Sequence, residues 1–201
     1  MGSVHSTPVR ILGIDPGLRI TGYACIVPGP RPSIVEAGVF RLVKGLATSD
    51  AGSVSARLEE LDHDFRELLA RVTPEVVAVE GLFSHYGHPA TAIVMGHARG
   101  VLLLAIRQRG LRLIELKPAQ VKKSCVGFGG ASKGAMQRAM QREFALAELP
   151  TPPDLADALG IALSAATRLR LGDSVDLPAA ARRQGTRQRD KFLPGGVRQP
   201  A

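Results

Sequence analysis

The sequence has little cysteine: Cys25 and Cys125 are the only two thiols among 201 residues. Two cysteines cannot form the disulfide framework of a small secreted domain or a cysteine-based zinc site. Free thiols are typical of a reducing compartment, so we expect a cytoplasmic protein. The chain also lacks any apolar run approaching the roughly 18 to 20 residues that a membrane-spanning helix needs. These two absences argue against a helical membrane protein and against a disulfide-stabilised secreted domain.

Basic residues exceed acidic residues by eight, and the sequence pI is about 10.2. An excess of this size favours a polyanionic partner such as nucleic acid, although a basic surface that serves only solubility would give the same count. Residues 170–201 contain seven Lys/Arg and three Asp/Glu, whereas the other 169 residues contain 19 and 15. The body of the chain is therefore only mildly basic, so any nucleic-acid surface there must be a local patch.

Hydrophobic periodicity divides the chain into alternating elements. Strands are predicted at residues 9–15, 20–27, 34–43, 76–80 and 111–116, and helices at 54–72, 89–109, 118–126, 132–147 and 154–171. Short turns between the first three strands favour an antiparallel meander, whereas helices between the later strands favour parallel pairing. The predicted fold class is therefore α/β, with a mixed five-stranded sheet flanked by helices.

The same patterns predict one folded domain at residues 10–171. Residues 1–9 are predicted to be a disordered N-terminus. Residues 172–201 are rich in Pro, Gln, Arg and Gly and have almost no apolar periodicity, which predicts a basic, disordered tail.

Four acidic residues stand where a sheet of this kind places ligand sites. Asp15 ends the first strand and Glu80 the fourth, so both emerge at one sheet edge if these strands are parallel neighbours. Asp154 and Asp157 are three residues apart and share one face of the last helix. Each acid alone has an ordinary alternative role, respectively in a turn, at a solvated strand end, in a capping box with Thr151, and at a helix N-terminus.

A cluster of four carboxylates requires cations, because two unit charges about 4 Å apart repel by roughly 4 kcal/mol at an effective dielectric near 20. Oxygen-only ligands suit Mg²⁺ or Mn²⁺ rather than zinc. Two such ions in one site would support an in-line phosphoryl displacement. The acids therefore predict a site for two divalent cations.

Several segments resemble the RuvC-type Holliday junction resolvases. Residues 11–23 (ILGIDPGLRITGY) resemble the opening motif of that family, residues 77–83 (VAVEGLF) its second acidic motif and residues 154–159 (DLADAL) its final one. Three shorter segments are also similar to family segments: 96–100 (GHARG), 118–123 (PAQVKK) and 126–129 (VGFG). The resemblance spans about residues 10 to 170 in the order of the family.

The resemblance implies a ribonuclease-H-like fold whose metal-binding catalytic acids are Asp15, Glu80, Asp154 and Asp157. It also implies a homodimer that nicks two like strands of a four-way DNA junction symmetrically, in recombination and DNA repair. A branch-migration motor as partner and action at the bacterial nucleoid are implied in the same way. Helix 89–109 is apolar almost all round and is our candidate dimer interface, with an internal core helix as the alternative.

Aromatic side chains after the second acidic motif are candidate DNA contacts. The resemblance implies that Phe83 stacks on an unpaired base near the crossover, and Tyr86 is a second candidate. A phenylalanine tucked under its loop is the alternative. The chain carries one residue more than the family between Glu80 and residues 96–100, so the contacts of loop 84–89 are left open.

Basic side chains supply the remaining candidates. Lys122 and Lys133 are similar to family lysines near the scissile phosphate, where an ammonium binds phosphate as a point charge. Lys123 and Arg138 would widen the basic patch. A solvated helix face is the alternative for Lys122 and Lys133.

Three other functions compete with junction resolution. Asp15-x-Gly17 with Thr21-Gly22 also resembles the phosphate-binding turn of actin-like phosphotransferases, although 201 residues are too few for their two lobes. A non-catalytic junction-binding protein would leave at least one of the four acids unused. A related ribonuclease-H-like nuclease acting on RNA or on other branched DNA would share the two-metal chemistry.

Removing residues 173–201 is expected to leave the domain folded, because the tail has too little apolar surface to add to a core. Thermal unfolding of the truncated and the full-length chain should give the same midpoint within error. A large fall in the midpoint on truncation would show that the tail is part of the folded structure.

Overall fold

The computed structural model describes residues 9–42, 51–81 and 89–171. The segment before residue 9, the loop that contains Phe83 and Tyr86, and the tail 172–201 lie outside the described residues. The predictions made for them remain predictions.

The described elements follow the predicted order. The five strands are β1 (Ile11–Asp15), β2 (Ile20–Val27), β3 (Ser33–Arg41), β4 (Val76–Glu80) and β5 (Arg112–Leu116). The five helices are α1 (Ala51–Val72), α2 (Pro89–Gln108), α3 (Pro118–Val126), α4 (Lys133–Glu143) and α5 (Pro153–Arg170). No helix in the described segments is both long and apolar enough to cross a bilayer.

Helix α4 ends four residues before its predicted boundary, at Glu143. Ala145 adopts a left-handed conformation with φ of 50°. The backbone N–H groups of Ala145 and Leu146 then donate to the carbonyls of Arg142 and Gln141, at 3.3 and 2.9 Å. This is the Schellman arrangement, which usually places glycine where this chain has alanine. The sequence therefore carried no signal for the end of the helix.

The five strands form one mixed sheet in the order β3-β2-β1-β4-β5. β1 pairs antiparallel with β2 and parallel with β4, and β5 continues the parallel half. In the β1–β4 register Ile14 lies beside Val79. The next positions are Asp15 and Glu80, so the predicted mixed sheet and the parallel neighbours are confirmed, and both acids reach the same edge.

Alternation along the strands divides the core into two layers. Leu12, Ile14, Val77 and Val79 pack against α1 and α2 on one face. Ile11, Val76 and Ala78 pack on the other face, against α3, α4 and α5. Because side chains alternate, Asp15 and Glu80 fall on the second face, together with α5.

Helix α5 lies unusually close to the sheet because glycine stands beneath it. A Cβ on Gly13 would lie 2.3 Å from the carbonyl oxygen of Ala158 and 2.5 Å from the amide nitrogen of Ala162. A Cβ on Gly22 would lie 2.1 Å from the carbonyl oxygen of Asp154. Only a residue without a side chain permits these backbone contacts.

Helix α2 is buried on one side only. Ala98, Leu102, Ala105 and Ile106 are almost fully buried against α1 and the sheet. Ile93 and Leu104, on the other side, are 60% and 55% exposed. Among the described contacts nothing covers this apolar stripe, so the idea of a fully internal core helix is wrong for the single chain.

The substitution Gly13→Ala is expected to destabilise the fold by about 3 kcal/mol or more, the upper end of overpacking costs, because the new methyl group meets backbone. Urea unfolding measures the change in free energy. The matched control is Gly134→Ala in α4, whose Cβ would approach only the flexible end of Arg138, at 3.4 Å. That helical change should be neutral or stabilising by up to about 1 kcal/mol. Equal stabilities for the two variants would contradict the close contact.

Candidate active site

The site begins where β1 and β4 end side by side. Asp15 and Glu80 are the last residues of these strands, and each follows four buried residues. Both side chains are half-buried and lie on the face of the sheet that α5 covers. The order of strands thus places two carboxylates together at the carboxyl edge of a parallel pair, where open sheets bind ligands.

The first turn of α5 brings two further acids to this edge. Gly22 is the register partner of Asp15 in the β1–β2 ladder, and the carbonyl of Asp154 rests on that glycine. Asp157 lies one turn further along the helix. The capping-box alternative for Asp154 is wrong, because α5 is capped at Pro152 without a side-chain hydrogen bond.

Electrostatic coupling indicates that the acids lie in one neighbourhood. Desolvation raises the pKa of Asp15 well above its ordinary value, and repulsion from Glu80, Asp157 and Asp154 raises it further, in that order. The other three predicted acids therefore all act on the carboxyl group of Asp15. Lys133 opposes this shift by attraction.

Glu80 and Asp157 share the same environment. Burial, followed by repulsion from Asp157, raises the pKa of Glu80 to about 7. Burial also raises the pKa of Asp157, with Asp154 adding to the shift. Shifts of this origin are typical of functional sites, because charges are held together there at a cost in stability.

Two lysines from separate helices face the acids. Lys122 of α3 lowers the pKa values of both Glu80 and Asp157, and Lys133 of α4 lowers those of Asp15 and Asp157. Lys133 directly follows Ser132, whose hydroxyl caps α4 by accepting the N–H of Ala135 at 3.3 Å. Both lysines for which the resemblance implied a place near the scissile phosphate therefore interact with the acids.

Lys123 and Arg138 are exposed on the same two helices. Neither is among the charges that shift the pKa of Asp15, Glu80 or Asp157. The guanidinium of Arg138 extends back along α4 toward Gly134.

The donor chemistry fits hard divalent cations. The four acids offer only carboxylate oxygens, the ligands that Mg²⁺ and Mn²⁺ prefer. Within residues 9–42, 51–81 and 89–171 no three acidic, histidine or cysteine side chains are gathered tightly enough to form a complete metal cage. The acids therefore lie on one face of the sheet and interact electrostatically. To coordinate a cation, their side chains must move closer together.

The turn after β1 does not support the phosphotransferase alternative. The buried hydroxyl of Thr21 donates to the Gly17 carbonyl at 2.5 Å, and the Gly17 N–H donates back to that hydroxyl at 3.1 Å. A phosphate-binding turn needs its N–H and hydroxyl groups directed at the ligand. Here they close the turn and fix the exit of the chain from Asp15.

No role was predicted for Phe128, although it lies in residues 126–129, a segment similar to one of the family. Its side chain is 68% exposed between α3 and α4. An aromatic residue among three glycines was the available signal, and its exposure becomes evident only in the folded chain. Phe83 and Tyr86 lie outside the described residues.

Comparison with known proteins gives one consistent result. The family described as crossover junction endodeoxyribonuclease RuvC matches residues 11–165. A protein of that description from Rhodopirellula baltica is 42% identical over 154 residues, which cover 76% of this chain and 83% of the relative. A second, from Heliobacterium modesticaldum, is 42% identical over 163 residues, covering 81% and 96%.

Solved structures agree with the sequence relatives. Thermus thermophilus RuvC in complex with a Holliday junction substrate superposes with a TM-score of 0.70 at 28% identity, covering 82% of this chain and 96% of that one. This likeness confirms the predicted ribonuclease-H-like fold class. The family match covers most of the folded domain, and it includes β1, β4 and the first turn of α5. The chain therefore belongs to the RuvC family of crossover junction endodeoxyribonucleases.

Proposed function

We propose that this chain resolves four-way DNA junctions by paired symmetric nicks, in recombination and DNA repair. One feature supports the proposal: the charges of four carboxylates and two ammonium groups are coupled at the carboxyl edge of β1 and β4. These groups belong to Asp15, Glu80, Asp154, Asp157, Lys122 and Lys133. Acids that gather cations beside lysines that bind phosphate suit the hydrolysis of a phosphodiester. Family membership identifies that phosphodiester as junction DNA.

The four acids are the proposed ligands of the divalent metal that the family implies. We propose two ions, Mg²⁺ or Mn²⁺, in each site. When bound, such ions supply Lewis-acid activation of the attacking water and neutralise charge at the leaving 3′ oxygen. The protein contributes the placement: β1 and β4 fix Asp15 and Glu80, and the contact at Gly22 fixes the first turn of α5.

The lysines bind the scissile phosphate. Lys122 and Lys133 approach the acids from α3 and α4, so they can contact a phosphate that lies over the carboxylates. Their attraction also lowers the repulsion among the acids. Lys123 and Arg138 extend the positive surface toward the neighbouring phosphates of the strand. For Phe83 and Tyr86 the proposed base contacts rest on the family resemblance.

Two coordinated nicks need two sites, and we propose that α2 joins two copies of the chain. Ile93, Gly100 and Leu104 follow one another at helical spacing on its exposed side. A Cβ on Gly100 would meet nothing within 4 Å. This stripe, which also carries the exposed His97, has a small residue at its centre and suits close packing against the same helix of a second copy. A branch-migration motor as partner and action at the bacterial nucleoid rest on the family resemblance.

The substitution Asp15→Asn tests the catalytic assignment. We expect it to reduce cutting of a synthetic four-way junction by more than about 100-fold, since loss of a metal ligand should exceed the 10- to 100-fold typical of outer contacts. Junction binding should persist, because a neutral amide weakens cation capture more than phosphate contacts. End-labelled strands, with and without Mg²⁺, show the rate and the symmetry of the cuts.

The matched control is Asp64→Asn on α1, at the opposite face of the sheet. It should cut like the wild type. Normal turnover by Asp15→Asn would contradict the role of that acid. Wild-type cutting of an RNA duplex or RNA–DNA hybrid in preference to the junction would favour the ribonuclease alternative, and binding without cutting would favour the non-catalytic one.

The raised pKa of Glu80 predicts a pH-dependent stability. A carboxyl whose pKa rises from 4.5 to about 7 on folding is protonated in the folded state between these values. Its ionisation therefore does not lower the free energy of unfolding below pH 4.5, and it lowers that free energy by the full amount above pH 7. Asp15 and Asp157 shift in the same direction, so without divalent metal the wild type should lose stability as the pH rises from 5 to 8.

Glu80→Gln removes this cost. At pH 8 in EDTA the variant should be more stable than the wild type by about 1–3 kcal/mol, since each pKa unit corresponds to about 1.4 kcal/mol. At pH 4.5 the two proteins should unfold at similar urea concentrations. A gain that is the same at both pH values, or a loss at pH 8, would show that Glu80 is not held in a repulsive cluster.

A further inference from the structure

Phe128 is an exposed aromatic side chain, whereas the other aromatic side chains within residues 9–42, 51–81 and 89–171 pack against the core. It is 68% exposed, whereas Phe40 is 9% and Phe65 0% exposed. Tyr23 and Phe144 pack against the two core layers. A single exposed apolar side chain is ordinary on a protein surface. What distinguishes Phe128 is the place where its loop holds the ring.

The loop that carries Phe128 holds the ring in one place. Gly127 ends α3 with φ of 84°, a left-handed conformation, and donates its N–H to the carbonyl of Lys123 at 2.9 Å. A Cβ on Gly130 would lie 2.8 Å from two carbons of the Phe128 ring, so the ring rests directly on that glycine. The Phe128 carbonyl accepts the N–H of Ala131 at 3.2 Å. The ring is therefore exposed to solvent on one side and held by its contact with Gly130 on the other.

The loop also returns to the edge of the sheet where the acids lie. Gly129 packs on the first turn of α3, where its Cβ would lie 3.2 Å from the carbonyl oxygen of Ala119. That turn follows directly on β5, whose last residue, Leu116, is the register partner of Glu80. The loop that carries Phe128 thus packs on the turn that follows β5, at the edge of the sheet where Glu80 lies.

Both lysines of the site flank this ring along the chain. Lys122 precedes it in α3 and Lys133 follows it at the start of α4, and both face the acids. A strand whose phosphate is bound by both lysines would therefore run near the loop that joins their two helices. The flat face of a phenyl ring offers such a strand a base-stacking surface.

We propose that Phe128 stacks on a base next to the scissile phosphate and so positions the strand for cutting. This inference rests on the proposed function. It assigns to the loop between α3 and α4 a DNA contact separate from the one expected of Phe83, which lies after β4. Stacking of this kind tolerates any base, because every base has a π-face.

The test compares Phe128→Ala, Phe128→Leu and Phe128→Tyr on a synthetic four-way junction. Loss of one base stack should lower the single-turnover cutting rate, or junction affinity in metal-free buffer, by about 5- to 100-fold for Ala. Tyr keeps the flat ring and should stay close to the wild type. Leu keeps apolar bulk without a ring and should resemble Ala. Urea unfolding should be unchanged in all three variants, because the side chain is exposed.

Two further measurements make the result specific. A junction with 2-aminopurine beside the cut site should show fluorescence quenching by the wild type and by Phe128→Tyr but not by Phe128→Ala. The control is Leu171→Ala, which removes a 75% exposed apolar side chain at the far end of α5 and should change nothing.

Binding and quenching by Phe128→Ala that match the wild type would overturn the proposal and would suggest that the ring meets a protein instead. Phe128→Leu performing as well as Phe128→Tyr would also overturn it, since stacking needs the ring. If the wild type binds the junction without cutting it, the proposed function fails, while affinity and quenching still decide the role of Phe128.

Discussion

The close approach of α5 to β1 and β2 is the contact on which the rest of the structure depends. At Gly13 and Gly22 the helix backbone touches the strand backbone, with no side chain between them. Glycine in a strand interior normally weakens the strand. Here it lets Ala158, Ala162 and the first turn of α5 settle on the sheet. The same contact that closes one core layer therefore also sets the distance between Asp15 and the acids of the helix.

This placement lowers stability through electrostatic repulsion among the acids. Asp15, Glu80 and Asp157 are partly withdrawn from water and repel one another, as their raised pKa values show. A site selected only for stability would replace at least one of them. Lys122 and Lys133 relieve part of the repulsion, but two ammonium groups cannot balance four carboxylates. The remaining negative charge attracts cations, so the instability of the empty cluster and its proposed affinity for metal have the same physical origin.

Much of the fold could be predicted because its signals are local. β2, β4 and α3 have the predicted boundaries, since short apolar runs and Pro or Gly residues mark their ends. Asp15 and Glu80 could be placed from strand order alone, because alternation and parallel pairing fix both the edge and the face. The end of α4 could not be predicted, because an alanine occupies the left-handed position where glycine usually gives the signal.

The features that were missed depend on what each residue meets in space. Apolar periodicity showed that α2 has little polar surface, but it could not show that Ile93 and Leu104 stay exposed in the single chain.

Phe128 is a similar case. In sequence its neighbouring glycines indicate only a break between helices. In the fold, Gly129 packs on Ala119 and Gly130 lies under the ring, so these glycines bring the loop to the acidic edge and direct the aromatic outward. Small residues allow two backbones to meet in this protein, both under α5 and at this loop, and such meetings are non-local contacts that no periodicity encodes.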